Sequence, residues 1–239
     1  AQTATGNAGT LRRAVSDWIA GGASKSTVVA TYGNIEDWDV SEVTHMEGLF
    51  FGWKFDDTFG SFNADISKWD TGKVRYMGSM FYDATAFNQD LSKWDTGLVA
   101  YTGNMFFYAS AFNSDISKWN TGTVKYMEGM FGRAEAFNQD LSKWDTGEVI
   151  TMHSMFSQST AFNNDGQPLD WDTSKVQNME DMFFLARVFN QDVSKWNTNA
   201  VTDMSAMFYH AEAFNQDISS WDTRQVTAMP QMFKNAIAF

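Results

Sequence analysis

The sequence contains no cysteine among its 239 residues. Disulfide frameworks, thiolate nucleophiles and cysteine-based metal sites are therefore excluded. The redox compartment stays open, because a large core can do without disulfides. Only two prolines are present. No apolar run approaches the roughly 18 residues needed to span a bilayer, so no membrane span is expected. Positive charge is also in deficit: 17 Lys and Arg face 29 Asp and Glu, a net charge of −12. Such a chain repels phosphate backbones and anionic membrane surfaces, which argues against a nucleic-acid partner.

What the chain does have is apolar mass. Hydrophobic residues make up 44% and aromatics 16%, far from the composition of a disordered chain. The tryptophans set a period. Trp69, Trp94, Trp119 and Trp144 lie 25 apart; Trp171 follows after 27, and Trp196 and Trp221 after 25 each. Trp38 precedes Trp69 by 31. Phe62, Phe87, Phe112, Phe137, Phe162, Phe189, Phe214 and Phe239 keep the same register. All 14 methionines fall at two repeat positions, as in Met77/Met80 and Met204/Met207. The unit reads F-N-x-D-[I/L]-S-K-W-[D/N]-T-x-x-V-x-x-M-x-x-M-F-x-x-A-x-x. Six extra residues fall around Phe51–Phe59 and two near Asn164–Asp170; both read as loops bulging from one face.

Periodicity divides each unit in two. Val201, Met204, Met207, Phe208, Ala211 and Phe214 recur every three or four residues, which predicts a short helix or 3-10 turn. Pro230 then places the helix start near Thr227 or Ala228. The segment Asn88–Ser92 alternates and predicts a short parallel strand pairing with its copies. The expected fold is an α/β solenoid, leucine-rich-repeat-like, of about eight coils with one strand and one helix or 3-10 turn each. Leu11, Ala14, Val15 and Trp18 form one apolar stripe after Thr10, a suitable N-cap residue, and predict a capping helix. Residues 1–30 are thus read as tail and cap, and 31–239 as a single solenoid. No cap is read at the C-terminal end. A continuation of the array, or a partner docked on that edge at Phe239, is expected there.

Several columns of side chains could carry chemistry. His45, His153 and His210 occupy three different repeat positions, so stacking does not converge them on a zinc ion. No nucleophile–base arrangement or phosphate-binding loop stands out, and no catalytic residue or cofactor is expected. The asparagines Asn63, Asn88, Asn113, Asn138, Asn163, Asn190 and Asn215 predict a structural ladder. Asp65, Asp90, Asp115, Asp140, Asp192 and Asp217 form an acidic column, with Asp165 displaced by an insertion. These carboxylates either bond turn N–H groups, with Lys68, Lys93, Lys118, Lys143 and Lys195 as countercharge, or form a ridge for cations such as Ca²⁺. The threonines Thr71, Thr96, Thr121, Thr146, Thr173, Thr198 and Thr223 suit turn capping better than an ice- or mineral-matching array. Aromatics outside the core columns are interaction candidates: Trp53, Tyr82, Phe107, Tyr108, Phe184 and Tyr209, with Phe239 at the edge.

The segment Phe214-Asn215-Gln216-Asp217-Ile218-Ser219-Ser220-Trp221-Asp222-Thr223, followed by Val226, Met229, Met232 and Phe233, resembles the repeat of BspA-like leucine-rich-repeat surface proteins. The closer likeness is to the mycoplasma-lipoprotein type of 25-residue repeat, over about Tyr32–Phe239. That resemblance implies an extracellular or cell-surface location and adhesion-type roles, with no catalytic residue. The polar stretch Ala1–Thr10, lacking an initiator methionine, also suits removal of a targeting peptide, which leaves an organelle lumen as the alternative. The function expected is a non-catalytic scaffold for protein–protein interaction or assembly. The alternative is a module binding carbohydrate, mineral, cation or ice.

Overall fold

A computed structural model of the protein describes residues 8–51 and 57–239. The chain opens with two helices, α1 (Ala8–Ala20) and α2 (Gly22–Tyr32). Gly21 joins them at φ 72°, a left-handed conformation that glycine adopts without steric cost. Helix α1 buries Leu11, Ala14 and Val15, and its Trp18 ring meets Phe62 edge-on at 6.1 Å. Arg12 donates to the Glu47 carbonyl, which ties the helix to the first coil. The predicted apolar stripe therefore faces the stack. Thr10 lies within the first turn of α1 and is not its cap, and α2 was not foreseen.

The expected α/β solenoid, with a strand and a helix in every coil, is not what the chain forms. Among the described residues there is no β-strand. Beyond the N-terminal pair, helical structure is limited to single-turn pieces at Ile35–Asp37, Asp57–Gly60 and Asn164–Gly166, none of which recurs with the repeat. Adjacent coils touch through isolated parallel bridges: His45, Tyr76, Tyr101, Tyr126, Thr151, Asn178, Asp203 and Ala228 are joined in series. These rungs lie in the half read as helix, not at Asn88–Ser92.

Backbone bonding explains both errors. The N–H groups of Met77, Ser79, Phe81 and Asp83 donate across to Tyr101, Gly103, Met105 and Phe107, at 2.8–3.0 Å. The intervening N–H groups of Met80, Tyr82 and Ala84 turn back to the carbonyls of Met77, Ser79 and Phe81, at 3.1–3.2 Å. Four of these seven donors thus bridge coils and three close β-turns. A helix would need bonds four residues back, and a strand would send its alternate groups to a second neighbour. Succession of turns gives the apolar residues their three-residue spacing, which imitates a helix. Alternate turns of this ribbon have their third residue left-handed, as in Ser79 (φ 53°) and Asp83 (φ 59°), and this recurs at Asn104 and Tyr108, Ser154 and Gln158. Pro230 begins no helix. It sits where the aligned residues Gly78 and Gly103 donate no backbone bond, so its missing N–H costs nothing.

The interior is built of stacked rings. Phe50, Phe81, Phe106, Phe131, Phe156, Phe183, Phe208 and Phe233 follow one another at 5.3–5.7 Å with planes within 3–9°. The Phe87 and Trp94 columns run beside them, and one continuous core extends from Leu11 to Met232. Each fully buried Phe contributes about 1.5–3 kcal/mol by burial alone.

Candidate functional site

Every coil has a constant edge and a variable face. The constant edge runs from the Phe-Asn pair to the Trp-[Asp/Asn]-Thr triplet, and its polar groups are consumed by the stack. Each Asn side chain accepts the N–H of its counterpart one coil on, as in Asn113 N–H to Asn88 Oδ1 at 2.8 Å. From Trp69 to Trp221 each Trp indole donates to the carbonyl of the apolar residue in the preceding coil, as in Trp144 Nε1 to Ile116 at 3.1 Å. The Thr hydroxyls of Thr71 to Thr198 are buried and donate to the next coil's carbonyls, at 2.8–3.0 Å. They present no hydroxyl array to solvent.

The Asp column is bound to its own turns. Asp65, Asp90, Asp115, Asp140, Asp192 and Asp217 each accept the N–H of the Ser two residues on, at 2.8–2.9 Å. In Asp90, Asp115 and Asp192 the Ser hydroxyl and then its N–H hold the carboxyl below the usual range. In Asp65 and Asp217 the N–H acts first and the hydroxyl second. The lysines add less: Lys68 and Lys195 reach Asp37 and Asp170 of the preceding coil instead, at 3.5 and 2.6 Å. Among the described residues no three His, Asp or Glu side chains converge as a metal cage.

The variable face follows the bridge column. Its outward positions hold no single residue type along the array: His45, Tyr76, Tyr101, Tyr126, Thr151, Asn178 and Asp203 on the rungs, and Glu47, Gly78, Gly103, Glu128, His153, Glu180 and Ser205 two residues on. A third column carries Phe51, Tyr82, Phe107, Phe184 and Tyr209, all half-buried. Four of the predicted interaction residues, Tyr82, Phe107, Phe184 and Tyr209, thus share one column. Tyr82 stacks between Phe51 and Phe107 at 4.6 and 5.3 Å, and Phe184 stacks on Tyr209 at 4.8 Å. Tyr108 stands beside Phe107 with the Arg133 guanidinium over its ring at 4.7 Å. Phe239 lies apart, half-exposed at the last coil and packed on Phe233 at 4.2 Å. Trp53 falls outside the described residues.

Periodicity arguments missed the rung aromatics. Tyr76 and Tyr126 are exposed, and His45 stacks on Tyr76 at 4.6 Å. Tyr101 between them is folded down onto glycine. A Cβ at Gly78 would stand 2.1 Å from its ring, and one at Gly103 would stand 2.7 Å from its hydroxyl. Burial, then the charge of Glu128 and a hydrogen bond to it, with Glu47 adding charge, push the Tyr101 phenol up to about 12. The second carboxylate oxygen of Glu128 is buried without a hydrogen-bond partner. The signal was present in the sequence: these are positions where the repeat holds no fixed residue.

No helix among the described residues is long and apolar enough to cross a membrane. Comparison with known proteins finds the family described as Mycoplasma protein of unknown function, DUF285, matching in tandem over residues 23–120, 93–170 and 167–239. No curated protein and no solved structure matches the chain. The three tandem matches together run from residue 23 to residue 239, and the chain is a repeat protein of the DUF285 family.

Proposed function

We propose that this protein is a non-catalytic recognition scaffold whose variable face contacts a protein partner at a cell surface or outside the cell. One observation carries the reading. On the constant edge the Asn, Thr and Trp side chains recur because the stack uses their hydrogen bonds, whereas the outward positions beside the bridges hold no single residue type along the array. A surface whose residue types vary along a stacked array is the arrangement repeat proteins use for binding. The family's resemblance to BspA-like surface repeats supports the location. The net charge of −12 disfavours anionic surfaces as partners.

The test uses two multi-site variants of matched thermal stability. One replaces Tyr76, Tyr126, Phe184 and Tyr209 by Ser; the other replaces Lys93, Lys118 and Lys143 by Ser. Cross-linking capture on native surface extracts should fail for the first and persist for the second. Equal capture by both would contradict the reading. Carbohydrate binding is the second reading, favoured by the exposed tyrosines, and retention on a glycan array lost only in the Tyr variant would establish it.

A further inference from the structure

We infer that the aromatic patch on the second to fourth coils is a docking site for an extended, proline-rich peptide bearing arginine, laid along the stack axis. The inference rests on the variable face being the recognition surface. Tyr76, Tyr101 and Tyr126 occupy one repeat position and are bridged in series. The outer two expose their rings, and the middle one lies flat on Gly78 and Gly103. The two exposed rings therefore stand two coils apart, about 9.6 Å at the usual parallel spacing. A polyproline II helix makes one turn of three residues in about 9.3 Å, so prolines three apart fall on successive exposed rings. Such helices dock in aromatic-lined grooves because they arrive pre-ordered, with little entropy left to lose.

Charge selects the flanking residue. One buried oxygen of Glu128 has no hydrogen-bond partner, and among the described residues neither Glu128 nor Glu47 is ion-paired. A guanidinium from the ligand would pair with the exposed Glu47 or the half-buried Glu128 carboxylate and lie against a tyrosine face. Arg75 and Lys125 precede the exposed tyrosines, so they repel that cation from the outer rim and leave the Glu47–Glu128 row as its seat.

Fluorescence anisotropy with the intact protein tests this. The probe is a labelled peptide of nine prolines with an arginine at each end; the comparison is a Gly-Ser peptide with the same arginines. The proline peptide should bind, and the Gly-Ser peptide should bind at least about ten-fold more weakly. Tyr76→Ala with Tyr126→Ala should weaken binding by about ten-fold or more, and Lys143→Ala, on the constant edge, should leave it unchanged. Glu128→Gln should weaken the arginine-flanked peptide and not a plain oligoproline. Thermal melts of each variant confirm folding. Equal binding of both peptides, indifference to the Tyr substitutions, or binding of a cello-oligosaccharide alone would overturn the inference. If the protein ignores oligoproline while surface capture still depends on the variable face, this inference falls and the scaffold reading stands.

Discussion

The most informative single position is the one that breaks a column. Thr102 stands where neighbouring coils place Met77 and Met127. It is buried, and its hydroxyl donates at 3.2 Å to the Tyr126 carbonyl, which also takes the Thr102 N–H at 3.1 Å. The hydroxyl therefore adds little to a carbonyl already satisfied. A void of ≈ 10 Å³ lies beside it, lined by Met77, Met127, Trp119 and Trp144. Thr102→Met fills space and removes a buried polar group, so stability should rise by about 1 kcal/mol. Met127→Thr does the reverse in a filled site and should cost about 2–4 kcal/mol. Paired thermal melts decide the matter: a neutral Met127→Thr would mean that the Met column is not core.

At the scale of the element, the left-handed turn is what the sequence hid. The repeat period, the core columns and the asparagine ladder were legible because each is a fixed residue type at a fixed interval. The turn ribbon was not, since Met77, Met80, Phe81 and Ala84 carry helical spacing while their N–H groups alternate between two partners. A weaker signal existed. The left-handed positions hold Ser79, Asn104, Gly129, Ser154, Asp181 and Ala206, with no β-branched residue among them. Ser79→Val therefore discriminates between the two conformations. In a helix it would cost a few tenths of a kcal/mol. At φ 53° it should cost about 1–3 kcal/mol, because a branched Cβ is strained there. Ser79→Gly, which tolerates that φ, should stay close to the parent in denaturant unfolding. A Ser79→Val protein as stable as the parent would restore the helix. The site was partly legible: the outer aromatic column was named from sequence, but the rung tyrosines were absorbed into the presumed helix.

For the whole molecule, stacking couples the coils both electrostatically and mechanically. Carboxyls of the Asp column, including Asp90, Asp115 and Asp192, are held below the usual range by Ser hydroxyls and N–H groups. A carboxyl whose folded pKa is depressed adds stability that is complete above its unfolded value and is lost as pH falls through the folded one. Melting temperature should thus hold near neutrality and fall progressively below about pH 4. A flat profile down to about pH 2.5 would mean that the turns do not depend on ionised Asp. The central claim is that coils are interchangeable units, each closed by its own turns and bonded only to its immediate neighbours. Removing one full period, Phe112 through Ala136, joins Ala111 to Phe137 and restores every column. Removing only residues 112–123 misaligns the Asn, Trp and Thr bonds. Cooperative melting measured on both variants is the direct test. The account predicts that the full-period deletion melts as a single transition near the parent and that the shorter deletion does not. Equal cooperative melting of the two would contradict it.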